Sequence, residues 1–262
     1  MPGHKNLPAI ILATFGTSSP KAREVYRGIE NRVREAYPKH EIVWAYLSHQ
    51  IIDKQRSLGV VLPTLSEVLI ALAGSGFNEA VVQPLLTVPG EEFSIVRSSE
   101  CVGIELSISA PLLSSEHDLD AVLAAISAYI LPDVTTVLVC HGNRKYSEYN
   151  EQLLRLKKMA ESKFDNLIVA SIEGAPGTEP LARAREMARA KDAVVFIPFM
   201  MASGEHINRD VMGDDAESWK NIVGARHSTC LEPLAKNTAI LNIFLNHIEF
   251  AMQDLRKVRQ HG

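Results

Sequence analysis

The sequence has few cysteines, no block of basic residues and no long apolar run, and each absence excludes a class of protein. Its three cysteines are widely spaced and odd in number, which argues against a disulfide framework or a thiolate zinc knuckle. A net charge of −4 at pH 7 without a cluster of Lys and Arg argues against a general nucleic-acid binder. No apolar stretch approaches the roughly 20 residues of a membrane helix. We therefore expect a soluble, cytoplasmic protein with buried thiols, no nucleic-acid partner and no membrane span.

Phosphate-binding glycine loops are also missing. The segments FGTSSPKAR and HGNRKY contain glycine, but neither matches GxGxxG or GxxxxGK[ST]. The first segment suits a helix N-terminus instead, because Thr17, Ser18 and Ser19 precede Pro20. Free N–H groups at this position can be capped by these side chains or can hold a carboxylate, and the sequence leaves both roles open.

What the chain does contain is a repeated alternation of Val/Ile/Leu runs with charged stretches of helical period. This alternation is typical of parallel strands covered by helices. With 262 residues and 46% hydrophobic content, the chain has room for two medium domains. The segment Leu131–Pro132–Asp133 follows an apolar helix and precedes the second copy. We predict an α/β fold of two similar, doubly wound domains with parallel sheets, arising by internal duplication and comprising residues 1–130 and 131–262, with a cleft between them and a long C-terminal helix around 237–258.

The two copies differ where their strands end. ATFGT in the first copy matches VCHGN in the second, which places His141 at a strand end. Glu173 follows the next strand, and the match of VPGEEF with ASGEHI puts Glu92 opposite His206. Because the carboxyl ends of parallel strands meet at one edge, we expect His141, Glu173 and His206 to reach a common cleft. Imidazoles with a carboxylate suit divalent cobalt, nickel, iron or zinc, and the lack of thiolates favours a site that releases its metal.

The first copy would supply the opposite wall of this cleft with small, backbone-rich turns. The residues predicted to form it are Phe15, Gly16, Thr17, Pro89, Gly90, Glu91 and Glu92. A structural role remains the alternative for each proposed ligand, since a histidine at a strand end often pairs with backbone. Two histidines at matched ends, with a glutamate between them, favour a site. The other histidines that lack matched counterparts are treated as structural, namely His49, His117, His227 and His247.

The motifs together resemble a known family. FGTS, PGEEF, APLLSS, the HG pair at His141 and the block PFMMASGEHINRDVMGDDAESWK resemble class II chelatases of the anaerobic cobalamin pathway, the cobaltochelatases that insert Co2+ into sirohydrochlorin. The resemblance covers nearly the whole chain and implies two α/β domains around a cleft. It also implies that His141, Glu173 and His206 are the metal-binding and catalytic trio, with His141 or His206 accepting pyrrole protons. Cys140 is a departure, because relatives often have glycine there.

The resemblance implies divalent metal and sirohydrochlorin as substrates, without ATP or redox chemistry and without a further cofactor. Because sirohydrochlorin is rich in carboxylates, cationic side chains should bind it. The nearest candidates in sequence are Arg144, Lys145 and Arg209, for which solvated surface charge is the alternative. No histidine or methionine lies between His49 and His117, so the wall of the cleft that the first domain supplies offers no usual axial ligand and we expect no haem. The sequence leaves a homo-oligomer open.

Three alternatives to cobalt insertion remain. The nearest is a sirohydrochlorin ferrochelatase for sirohaem synthesis, since a His/Glu/His site does not by itself separate Co2+ from Fe2+. A metal-dependent hydrolase would use Glu173 as a base or ligand, but the chain has no nucleophile motif. A non-catalytic carrier of tetrapyrrole or metal would bind sirohydrochlorin without changing its absorption spectrum when Co2+ is present.

Overall fold

The computed structural model describes residues 6–17 and 19–261, with backbone positions alone at 20, 21 and 258–261. The chain forms two compact units. The first ends at Leu112 and resumes at Leu241, and the second comprises Leu113–Ile240. Each unit contains a four-stranded sheet in which every pair of neighbouring strands is parallel. The predicted α/β class with two similar parallel sheets is therefore confirmed.

The two sheets have the same topology. The first has the strand order β2-β1-β3-β4 and the second has the order β6-β5-β7-β8. The strands are β1 (Ala9–Thr14), β2 (Ile42–Tyr46), β3 (Glu79–Pro84), β4 (Glu105–Ile108), β5 (Thr135–Cys140), β6 (Leu167–Ser171), β7 (Ala193–Phe199) and β8 (His227–Cys230). All six residues of the central strands β1 and β5 are buried, as expected for strands with helices on both faces. The equal strand order supports the internal duplication.

Helices connect the strands and cover the sheets. Those of the described residues are α1 (Pro20–Ala36), α2 (His49–Ser57), α3 (Leu65–Gly74), α4 (Glu91–Arg97), α5 (Glu116–Ser127), α6 (Glu151–Lys163), α7 (Leu181–Lys191), α8 (Trp219–Val223) and α9 (Thr238–His261). A π-helical turn lies at Ile207–Val211 and short 3₁₀ turns lie at Ser147–Asn150 and Leu234–Lys236. None of the helices in these described ranges is long and apolar enough to cross a membrane.

Local side-chain chemistry explains where several helices begin. The Ser19 hydroxyl accepts a hydrogen bond from the Ala22 N–H, so Ser19 is the N-cap of α1 as its sequence position indicates. Ser18 lies outside the described residues. In α3, Thr64 accepts from the Glu67 N–H while the Glu67 carboxylate accepts from the Thr64 N–H, which is a complete capping box.

The C-terminal helix α9 belongs mainly to the first unit, although it follows the second sheet in the chain. The Tyr37 hydroxyl at the end of α1 donates to the Leu245 carbonyl at 3.3 Å, and Arg32 donates to the Asn242 side chain at 3.0 Å. Phe244 and Ile248 are buried. The long C-terminal helix is confirmed as an element. The predicted domain boundary between residues 130 and 131 lies between the two sheets. The domains 1–130 and 131–262 themselves stay a prediction.

Candidate metal centre

Three predicted ligands follow three neighbouring strands of the second sheet. In the ladder, Val139 of β5 lies opposite Ala170 of β6 and Pro198 of β7. His141 is the first residue after β5, and Glu173 and His206 follow β6 and β7. The parallel arrangement therefore carries all three backbones to the same edge of this sheet.

The two histidines are close neighbours. Their ring centroids lie 5.2 Å apart and their planes are nearly perpendicular, at 85°. The Glu173 backbone lies next to His141, because its N–H donates to the His141 carbonyl at 2.8 Å. His141 is exposed and the His206 side chain is 39% exposed, so a solute can reach both rings.

The hydrogen bonds of the two rings decide which nitrogen remains available. Nδ1 of His141 lies 2.8 Å from the Gly142 carbonyl, and Nδ1 of His206 lies 2.6 Å from Oδ2 of Asp210. A carbonyl and an ionised carboxylate only accept hydrogen bonds, so each Nδ1 carries the proton. In the neutral rings each Nε2 then keeps a lone pair, which can bind a metal ion or take up a proton.

Asp210 is a partner of His206 that the sequence prediction missed. One of its carboxylate oxygens accepts from His206 and the other accepts from Nε of Arg209 at 2.8 Å. These contacts lower the pKa of Asp210, with the Arg209 hydrogen bond as the largest cause and the His206 hydrogen bond next. The spacing of four residues in GEHINRD is the signal that could have revealed this pair, because residues i and i+4 of a helical segment share a face.

Two glycines allow the loops after β5 and β6 to touch through their backbones. A Cβ atom at Gly142 would lie 1.8 Å from the Glu173 carbonyl oxygen, and one at Gly174 would lie 2.0 Å from the Asn143 carbonyl oxygen. Both glycines also have positive φ angles, 74° and 61°. A side chain at either position would push the Glu173 loop away from His141.

Arg144 lies in a loop that is held by two asparagines. Asn143 N–H donates to the Asn150 side chain and the Asn150 amide donates back to the Asn143 carbonyl, both at 2.7 Å. Asn150 is buried, whereas Arg144 is exposed. The loop thus has a fixed base and presents Arg144 to solvent near His141.

The side chains of His141, Glu173 and His206 do not converge on a common metal position in this structure. In the part of the chain that the structure describes, no group of three or more His, Cys, Asp or Glu side chains is placed to hold a metal ion. The histidine pair is the feature that the structure supplies. Participation of the Glu173 carboxylate stays a prediction.

The predicted substrate residues of the first unit also follow strand ends. Phe15, Gly16 and Thr17 come directly after β1, and the Phe15 side chain is 44% exposed. Gly90 is the N-cap of α4, and Glu91 and Glu92 form the first turn of that helix. Pro89 and Glu92 are half-buried. Their contact with a substrate stays a prediction.

Comparison with known proteins identifies the family. The model of the cobalt chelatase family CbiK matches residues 8–253 of the chain. This protein belongs to the cobalt chelatase (CbiK) family. The resemblance inferred from the motifs is confirmed by this match.

Relatives of this chelatase family member are found among characterised proteins and solved structures. Sirohydrochlorin cobaltochelatase CbiKC of Nitratidesulfovibrio vulgaris is 26% identical over 94% of this chain and 91% of the relative. Sirohydrochlorin cobaltochelatase of Salmonella typhimurium is 26% identical over 93% of this chain and 96% of the relative. SirB from Bacillus subtilis with Fe3+ has a TM-score of 0.66 at 15% identity, covering 96% of this chain and 98% of SirB. The complex of sirohydrochlorin chelatase SirB from Bacillus subtilis subspecies spizizenii with cobalt has a TM-score of 0.63 at 14% identity, covering 95% and 96% of the two chains.

The likeness to SirB supports the chelatase fold, and the role of the histidine pair stays a prediction. In this member the pair is accompanied by Asp210, and the Glu173 loop is attached to His141 through backbone contacts.

Proposed function

We propose that this protein is a chelatase that inserts Co2+ into sirohydrochlorin, with release of two protons, in anaerobic cobalamin biosynthesis. The observation that carries the proposal is the pair of neighbouring imidazoles, each with Nδ1 engaged and Nε2 available, at the strand ends of a cobalt chelatase family member. The relatives named above as sirohydrochlorin cobaltochelatases support sirohydrochlorin as the macrocycle.

The chemistry needs a group that binds the divalent substrate ion and a group that takes pyrrole protons. An imidazole Nε2 does either, because its lone pair accepts a metal ion or a proton. Either imidazole can fill both roles, and the ring of His206 is held by the Asp210 carboxylate, which lies 2.6 Å from its Nδ1. Nδ1 of His141 faces the Gly142 carbonyl, so Nε2 of this ring is likewise available to hold the ion. Glu173 would offset the charge of the waiting cation.

The residues proposed to contact the macrocycle have matching chemistry. The exposed ring of Phe15 can lie against the tetrapyrrole, while Gly16, Thr17, Pro89 and Gly90 present backbone at turns. Arg144 can pair with the carboxylates of sirohydrochlorin.

Glu91 and Glu92 complete this proposed set of substrate contacts. Glu92 stands in the first copy where His206 stands in the second.

An insertion assay tests the proposal. Purified protein is mixed with metal-free sirohydrochlorin and Co2+, Fe2+ or Ni2+, and the absorption spectrum is followed over time. We expect the spectrum to change fastest with Co2+. Faster insertion of Fe2+ would make the protein a ferrochelatase. Binding of sirohydrochlorin without any enzyme-dependent spectral change would make it a carrier.

Three further expectations belong to the same proposal. We expect no resident haem, so protein purified from a haem-replete host should show no stoichiometric Soret band. We also expect a cytoplasmic location. A homo-oligomer is left to size-exclusion chromatography with light scattering.

A further inference from the structure

An open groove of about 530 Å³ lies in the first unit, beside helix α1 and the edge strand β2. Its volume is in the range of small-molecule pockets. The floor is aromatic and the rim is charged. Tyr26, Trp44 and Tyr46 form the floor, and Arg23, Arg27, Glu24 and Glu30 form the rim.

The aromatic floor is held in place from below. The rings of Tyr26 and Trp44 lie 5.3 Å apart at 33°, and the indole N–H of Trp44 donates to Glu30 at 2.7 Å. The Thr14 hydroxyl at the end of β1 donates to the Tyr26 hydroxyl at 3.2 Å. Burial raises the pKa of Tyr26 and of Tyr46, so both phenols are neutral at pH 7. The floor is therefore a fixed, uncharged surface.

The charge on the rim is positive. Arg23 and Arg27 are one turn apart on α1 and both are exposed. Neither forms an ion pair with any residue that the structure describes, whereas Arg34 on the same helix binds Glu30 at 2.7 Å. With Glu30 held by Arg34 and by Trp44, Glu24 is the remaining acid. Two guanidinium groups against this one carboxylate leave a net positive rim.

The groove adjoins the turn that is proposed to contact the macrocycle. A Cβ atom at Gly16 would lie 3.3 Å from the Tyr46 ring, so this ring packs against the turn. The Ser48 N–H donates to the Phe15 carbonyl at 3.2 Å. The groove thus borders the turn that contains Phe15 and Gly16.

We propose that this groove binds carboxylate arms of the tetrapyrrole substrate, with Arg23 and Arg27 as their partners and the aromatic floor beneath them. This inference rests on the proposed function. Guanidinium groups suit carboxylates because they offer paired N–H donors, and planar aromatic side chains suit the apolar parts of the arms.

Steady-state insertion of Co2+ into sirohydrochlorin tests the groove. We expect Arg23→Gln and Arg27→Gln each to raise KM about threefold to tenfold with little change in kcat, because exposed ion pairs are individually weak. Glu24→Gln should lower KM, since it removes the opposing charge. Arg56→Gln in α2 is the matched control, because Arg56 is an exposed arginine of the same unit that pairs with Asp53 at 3.4 Å. An unchanged KM in Arg23→Gln/Arg27→Gln would overturn the groove proposal.

Equilibrium binding of metal-free sirohydrochlorin separates this proposal from the proposed function. Quenching of tryptophan fluorescence should weaken in Trp44→Phe, while Trp219 remains as the other tryptophan. The permethyl ester of sirohydrochlorin should bind wild type and Arg23→Gln/Arg27→Gln equally, whereas the free acid should prefer wild type. If the wild type binds sirohydrochlorin but inserts no metal, the proposed function is wrong. The groove proposal is then still tested by comparing the Kd of the wild type with that of Arg23→Gln/Arg27→Gln. If the wild type and Arg23→Gln/Arg27→Gln bind the free acid with the same Kd, the groove proposal is wrong.

Discussion

The two sheets share one topology but present different side chains where their strands end. The register matches Ala13 with Val139, which pairs Phe15 of the first copy with His141 of the second. By the same register the residue matched with Glu173 is Ser48, the N-cap of α2, and the residue matched with His206 is Glu92.

The comparison shows that one backbone can carry different chemistry in its two copies. In the first copy, these positions hold the exposed ring of Phe15, the helix cap Ser48 and Glu92 in a helix turn. In the second copy, two of the three positions hold the histidine pair. Fold alone therefore does not locate the proposed site, and the difference between the side chains at the strand ends is what indicates it. Substitutions at matched positions can test this asymmetry.

The largest effect is expected for the histidine pair. His141→Ala and His206→Ala should each lower kcat/KM for Co2+ insertion by about 100-fold or more, because each removes a ligand or a proton acceptor. Glu92→Ala, at the first-copy position that matches His206, should lower it far less. Circular dichroism checks that the fold is retained. If Glu92→Ala and His206→Ala lower kcat/KM equally, the proposed difference between the two copies is wrong.

The next largest effect is expected for the backbone of the loop after His141. Gly142→Ala should destabilise the protein by about 2–4 kcal/mol, since the new Cβ would overlap the Glu173 carbonyl at a positive φ angle. Gly16→Ala should cost less, because the nearest atom is a side-chain methyl of Ile51 at 3.1 Å.

Denaturant unfolding measures both glycine substitutions. Gly28→Ala in α1, where a Cβ meets nothing within 4 Å, is the control and should stabilise by about 0.5–1 kcal/mol. A Gly142→Ala protein as stable as wild type would refute the close backbone contact.

A smaller effect is expected for Asp210. Asp210→Asn should weaken Co2+ binding about tenfold, because the neutral amide orients His206 less well and supplies no charge. Equilibrium dialysis and the optical spectrum of bound Co2+ give the measurement. Asp165→Asn makes the same charge change at an exposed site in the same unit and should have no effect. If the two variants bind Co2+ alike, Asp210 has no orienting role.

The smallest effect concerns helix capping, in which the copies also differ. Helix α3 has the Thr64–Glu67 capping box, whereas α7, which precedes the matched strand, has Pro180 at its N-cap and no side-chain cap. Hydrogen bonds from the Thr64 N–H, and then from its hydroxyl, lower the pKa of Glu67 from 4.5. A lowered folded pKa stabilises the protein above the unfolded pKa, and this stabilisation is lost as the pH falls through the folded value.

The Tm of Glu67→Gln should therefore lie about one or two degrees below that of wild type at neutral pH. This difference should shrink as the pH falls below 4.5. Glu186→Gln on the exposed face of α7 should show no such gap. If the Tm difference between wild type and Glu67→Gln persists at low pH, the charge of Glu67 does not act through the cap.

Strands and long helices could be predicted because their signals are local. The Val/Ile/Leu runs that indicated parallel strands do form the two parallel sheets, since a run such as AIILAT is apolar enough to be buried on both faces. The helices α2, α4 and α8 have only five to nine residues, which show too little of the 3.6-residue period to be recognised in the sequence.

The candidate site was predictable in its residues but not in its geometry. The matched copies singled out His141, Glu173 and His206, because a duplication makes a difference at equivalent positions visible. The proton on each Nδ1, the partnership of Asp210 with His206 and the contact of Gly142 with the Glu173 loop follow from neighbours in space.

By itself the sequence determined the α/β class, the duplication and the chemical types at the strand ends, because periodicity and matched motifs lie along the chain. Only the tertiary structure decided that α9 packs with the first sheet, that the two imidazole rings lie 5.2 Å apart and that an aromatic groove with a positive rim borders the Gly16 turn. These features join residues that are distant in the chain, so their formation depends on packing and long-range hydrogen bonds rather than on local preference.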